Sequence, residues 1–182
     1  MDNAATPFIA LSAAYIIAYT LTSGFIYPIQ TALLPSVSDT TGLLFIPHGV
    51  RIIGMYYFGW RAIAYLLPAS YLMWFLTVYG NGLEMNVYQP VISLIACYLG
   101  VLLASGLLMI RSRQLDLKAW KFLIFAGMIG SLFNGIGLSL ANGSTSLAAN
   151  VLGYVIGDVA GLFTSLLILM YLFKFLRLYR PN

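Results

Sequence analysis

Long apolar runs broken by short polar punctuation dominate the chain. A helix needs about 20 apolar residues to cross the hydrocarbon core of a membrane. Six runs approach that length: Pro7 to about Ile29, Gly42 to Gly59, Arg61 to about Tyr79, about Val87 to Ile110, Phe122 to about Ala141, and Val151 to Phe173. Pro7 suits a helix start, and Pro28 ends or kinks the first run near Tyr27. Gln30–Thr41, Gly80–Asn86, Arg111–Lys121 and Asn142–Asn150 read as connecting segments. The pattern predicts an all-α polytopic membrane protein, a bundle of six transmembrane helices forming a single domain over residues 1–182.

Composition agrees. Of 182 residues, 61% are hydrophobic and 8% charged, against about 25% charged in soluble domains. The net charge of +4 does not indicate nucleic acid, because the basic residues sit at the ends of apolar runs rather than on a polar face. They instead set orientation. With six alternating crossings, Arg61, Arg111, Arg113, Lys118, Lys121, Lys174, Arg177 and Arg180 fall on one side, and Asp39 and Glu84 on the other. Both termini are therefore expected in the cytoplasm, with the protein in the cell inner membrane. The opening MDNAATPF has no basic n-region, so the first run is expected to be a retained span. Trp60 and Trp120 with their aromatic neighbours suit the headgroup level. Lys174, Arg177 and Arg180 recur every three residues beyond the last span and can reach lipid phosphates.

Candidate chemistry is sparse. Cys97 is the single cysteine, which removes disulfides and Cys/His metal clusters and leaves a small buried hydrophobe. No nucleophile elbow, phosphate loop, zinc motif or catalytic carboxylate pair occurs; neither an enzyme, a metal nor a cofactor is expected. Arg51 and Asp158 are the charged residues placed within spans. Counted as helix, they lie at roughly 13 and 10 Å from the starts of their runs, so a direct Arg51–Asp158 pair framing a polar pocket is expected. A plain ion pair that only fixes helix register is the competing reading. His48 lies three residues before Arg51 on nearly the same face, and is either a hydrogen-bonded structural group or a pH-responsive one. Pro47 frees a backbone carbonyl one turn earlier.

Small residues recur at four-residue spacing in the last two runs: Gly127, Ser131 and Gly135, then Gly153, Gly157 and Gly161. Such faces let backbones approach closely; tight packing of these two spans, or a subunit contact, is expected. Asn134 beside that face can bond across helices.

Two segments carry a resemblance. In Leu43–Phe75, Pro47 and Gly49 are followed by an apolar stretch and by Gly59 and Arg61. In Val151–Tyr171, Asp158 is followed by Gly161. These resemble the membrane-associated sensor domains of bacterial histidine kinases and diguanylate cyclases. The likeness covers about a third of the chain. That family usually has more spans and smaller or apolar residues where His48 and Arg51 stand, and a stand-alone form without a kinase or cyclase domain after Arg180 is expected. The resemblance implies a sensor-like membrane domain that acts through a membrane protein partner; the polar residues within the spans lead to the expectation of a small anionic ligand or a partner's helix held near His48, Arg51, Asn134 and Asp158. A substrate-binding subunit of an energy-coupling-factor type transporter and a structural accessory subunit of a larger membrane complex are the rival expectations.

Overall fold

The computed structural model describes residues 4–34, 42–81, 85–108, 119–143 and 146–178. Among them the regular structure is entirely helical: α1 (Ala5–Leu21), a π-helical turn (Thr22–Ile26), α2 (Tyr27–Leu33), α3 (Ile46–Phe58), α4 (Arg61–Asn81), α5 (Gln89–Leu107), α6 (Ala119–Ala141) and α7 (Leu147–Leu178). Five helices are long and apolar enough to cross a membrane, with α1, the π turn and α2 acting as one 29-residue rod. Asp39, Glu84, Arg111, Arg113, Lys118 and Arg180 lie outside the described residues.

The second expected span differs most. Instead of a helix over Gly42–Gly59, irregular backbone leads into a 13-residue helix, roughly 20 Å long and shorter than a hydrocarbon core. Pro47 sits in its first turn, where a missing N–H is harmless. Gly59 ends it at φ 59°, a left-handed conformation glycine adopts without penalty. The turn into α4 follows, closed by the Ala62 N–H donating to the Gly59 carbonyl at 3.1 Å.

This short helix is the centre of the bundle. Nine of its residues are buried, His48 and Arg51 among them. It packs against α1, α4, α5, α6 and α7. Ile52 and Met55 are fully enclosed with Leu66, Leu94, Ala126 and Leu162 from four neighbours. Tyr56, an aromatic neighbour of Trp60 expected at the membrane edge, is also buried, its ring tilted against that of Phe122 with centroids 5.3 Å apart; Trp60 and Trp120 are exposed.

Cross-contacts fix the directions. Ser12 bonds Tyr65, and Tyr19 bonds Thr77, so α1 and α4 run side by side in one direction. Arg51 meets Tyr15 and Ile46 meets Thr22, so α3 runs opposite to α1. Arg61, Lys121, Lys174 and Arg177 gather at one end of the bundle, hereafter the basic end.

The π turn has a local cause. Pro28 has no N–H to give the carbonyl four residues back, and the ladder widens so that the Tyr27 N–H donates to the Thr22 carbonyl. The Thr22 hydroxyl donates to the Ala18 carbonyl at 2.9 Å and accepts the Ile46 N–H at 3.3 Å. One of the unpaired N–H groups at the start of α3 is thereby satisfied by the π turn.

The small-residue faces serve two purposes. On α6, a Cβ at Gly127 would strike Leu162, and one at Gly135 would press on the Val151 backbone, so α6 and α7 pack closely as expected. On α7 the stripe does something else. A methyl at Gly157 would strike the Gly42 carbonyl, and one at Gly161 the Phe45 carbonyl. These glycines seat the irregular backbone ahead of α3; Gly153 is buried.

Candidate functional site

Non-helical backbone within a membrane bundle must be satisfied by protein, and here it is. The Phe45 N–H donates to the Gly157 carbonyl at 2.9 Å, and the Leu43 N–H to Gln30 Oε1 at 2.7 Å. Ser165 donates to the Ile46 carbonyl at 3.1 Å. The start of α3 is thus held level with Gly157–Ser165 of α7, well inside the bundle.

That seating brings His48 to Asp158. Helical side chains tilt toward their own N-terminus, so the imidazole reaches back along α7, and Nδ1 stands 3.3 Å from Asp158 Oδ2. Its Nε2–H donates to the Gly127 carbonyl of α6 at 3.2 Å. The same carboxylate oxygen accepts the Ser131 hydroxyl at 2.8 Å and the Asn134 amide at 3.3 Å. Asn134 in turn accepts the Ser93 hydroxyl from α5 at 2.8 Å. Cys97 Sγ lies 3.7 Å from His48 Nδ1. Four helices therefore meet through one polar cluster, with His48 at 0% and Asp158 at 2% exposure. A buried charge needs such partners, since desolvation alone costs several kcal/mol.

The expected Arg51–Asp158 pair does not form: the basic side chain within 4.0 Å of the carboxylate is His48. Counting Arg51 as nine residues of helix from Gly42 misplaced it. The helix begins at Ile46, and Arg51 lies roughly 7.5 Å further along it, with its guanidinium against Tyr15 of α1. Its Nη2–H donates to the Tyr15 hydroxyl at 2.6 Å. The guanidinium carbon lies 5.2 Å from the Tyr15 ring centroid and 5.6 Å from that of Phe45, a cation–π setting. Its Nε has no hydrogen-bond partner among the described residues.

Of the four expected site residues, the structure unites His48, Asn134 and Asp158, and places Arg51 in a neighbouring pocket of aromatic rings. Lys174 and Arg177 are exposed near the end of α7; Arg180 lies outside the described residues. Sequence reasoning missed Ser93, Tyr15, Thr22 and the closeness of Cys97 to the imidazole. Ser131 was visible only as a small residue, although it lies three positions before Asn134 on the same face. No group of three metal-ligating residues occurs among the described residues.

Comparison with family models, with curated proteins and with solved structures found no match.

Proposed function

We propose that the chain is a sensor-like, partner-binding domain of the bacterial inner membrane, in which the seating of α3 carries the response. The observation that carries this reading is a short, buried helix tied to α6 and α7 by a His–Asp pair and to α1 by hydrogen bonds. Such a helix has few ways to sit, and each is set by polar contacts that a partner's helix or a small anionic ligand can exchange. Intramembrane ionisable residues usually mark function. The sensor-family resemblance at Pro47, Gly49, Gly59, Arg61, Asp158 and Gly161 points the same way.

The accompanying topology has six crossings, the second made by irregular backbone and α3 together, with both termini cytoplasmic. Supporting it are the alternation of direction from α1 through α7 and the grouping of Arg61, Lys121, Lys174 and Arg177 at one end.

Extraction from native membranes in mild detergent, with identification of what co-purifies, tests the function. The reading expects one membrane partner in fixed ratio, whose retention changes in His48→Gln. Co-purification with ATPase subunits overturns it in favour of a transporter component. A partner held equally by wild type, His48→Gln and Arg51→Met overturns it in favour of a structural accessory subunit. The complete burial of His48 and Ser131 favours that second reading.

A further inference from the structure

The two nitrogens of His48 both face acceptors. Nε2 stands 3.2 Å from the Gly127 carbonyl oxygen and Nδ1 3.3 Å from Asp158 Oδ2. A carbonyl only accepts, so Nε2 carries a hydrogen. A neutral imidazole has a single N–H, which leaves the Nδ1 lone pair pointed at a carboxylate oxygen. That arrangement is repulsive unless one more proton lies between them. The proton sits either on Nδ1, as imidazolium beside carboxylate, or on Oδ2, as a carboxylic acid donating to Nδ1. Both forms have the same proton count and the same zero charge for the pair.

We propose that His48 and Asp158 form an exchangeable proton-binding site in the middle of the bundle, taking one H⁺ per chain. Arg51, three residues after His48 on α3, is the neighbouring buried cation that bears on the exchange. With the proton bound the pair is neutral, and the buried guanidinium lacks a matching anion. With the proton released, the Asp158 carboxylate is a buried anion to set against the buried Arg51 cation. Loss of the Nδ1–Oδ2 bond favours retention, and Arg51 favours release.

The surroundings equip both states. After release, the Cys97 thiol of α5, 3.7 Å away, can turn its S–H to Nδ1. Ser131 and Asn134 of α6 continue to donate to Oδ2. Tyr154 on α7 lies within electrostatic reach of Asp158. From α1, Tyr15 bonds Arg51, and Tyr19 lies within its field. The charged residue of α4 is Arg61, exposed at the basic end. Because Nδ1 links α3 to α7, proton release breaks one of the ties holding the central helix. The inference rests on hydrogen-bond geometry and stands whether or not a partner reads α3.

His48 is the chain's one histidine, so ¹⁵N-histidine labelling in lipid nanodiscs yields a single imidazole for NMR. The expected result is an Nε2 that stays protonated and an Nδ1 resonance that moves in one step as the pH is varied. Asp158→Asn supplies an amide N–H to Nδ1 in place of the shared proton and should abolish the step. Ser131→Ala withdraws a donor from Oδ2, leaves the pair in place and should shift the midpoint, which keeps the test decisive if the asparagine variant does not fold. An Nδ1 that ignores pH in the wild type overturns the proposal. So does a step that persists unchanged in Asp158→Asn, or one that Ser131→Ala leaves where it was.

Discussion

The Phe45 N–H donates to the Gly157 carbonyl at 2.9 Å, a bond from irregular backbone to the middle of a long helix. It is possible because Gly157 has no side chain. A Cβ there would strike the Gly42 carbonyl, and one at Gly161 would strike the Phe45 carbonyl. Both obstacles are backbone, which cannot rotate aside. Gly157→Ala and Gly161→Ala should each destabilise by the upper end of the about 1–3 kcal/mol typical of overpacking. Gly106→Ala meets open space within α5 and should be neutral or stabilising by up to about 1 kcal/mol. Thermal unfolding in one detergent compares the three.

Removing one partner from the His48–Asp158 pair leaves the other buried. Asp158→Ala strands the donors of Ser131 and Asn134 as well as the imidazole, and should cost about 3–5 kcal/mol. Ser131→Ala removes one hydrogen bond to a carboxylate and should cost about 1.5–3 kcal/mol. In the Asp158→Ala background the serine change should be nearly silent, because its acceptor is gone. The four unfolding free energies of that cycle give the coupling directly.

Arg51 and Tyr15 form a second, separable unit. Tyr15→Phe keeps the ring under the guanidinium and removes the hydroxyl that accepts at 2.6 Å. It should destabilise by about 1.5–3 kcal/mol, the range for hydrogen bonds to charged groups. Arg51→Met removes the cation while keeping an apolar stem, and in that background Tyr15→Phe should be within about 0.5 kcal/mol of neutral. A Tyr15→Phe effect that survives unchanged without the arginine would assign the hydroxyl another role.

How far these features were legible in the sequence varies with the physics behind each. Hydropathy located the five long helices, because a membrane demands apolar length and little else. It could not show that Gly42–Phe45 stays irregular, since Gly42, Leu43, Leu44 and Phe45 are as apolar as any helix. What decides their conformation is distant in sequence: the Gly157 carbonyl, Gln30 and the Thr22 hydroxyl. That one difference moved Arg51 along the bundle and gave Asp158 to His48. The glycine spacing on α7 was readable as a close-approach face, but its occupant was not. Ser93 and Tyr15 carried no signal of their own, because a serine or tyrosine in an apolar run gains meaning only from the atom opposite it.

The course of the chain through the membrane can be tested at α4, which leads away from the basic end. Arg61 opens it and is exposed, and Tyr88, beyond its far end, is 65% exposed. Single cysteines at these positions in a Cys97→Ser background report each side, since Cys97 itself is fully buried and serine preserves a donor beside His48. Basic residues favour the cytoplasmic face, so Arg61→Cys should react with a membrane-impermeant maleimide only after the membrane is opened. Tyr88→Cys should react in intact cells. Leu147→Cys at the start of α7 should follow Tyr88→Cys, and Lys174→Cys near its end should follow Arg61→Cys. Reversal of all four would keep the alternation and invert the orientation. Labelling of the Arg61 and Tyr88 positions from one side would mean that α4 does not cross, and α3 would then lie in a re-entrant loop rather than complete a crossing.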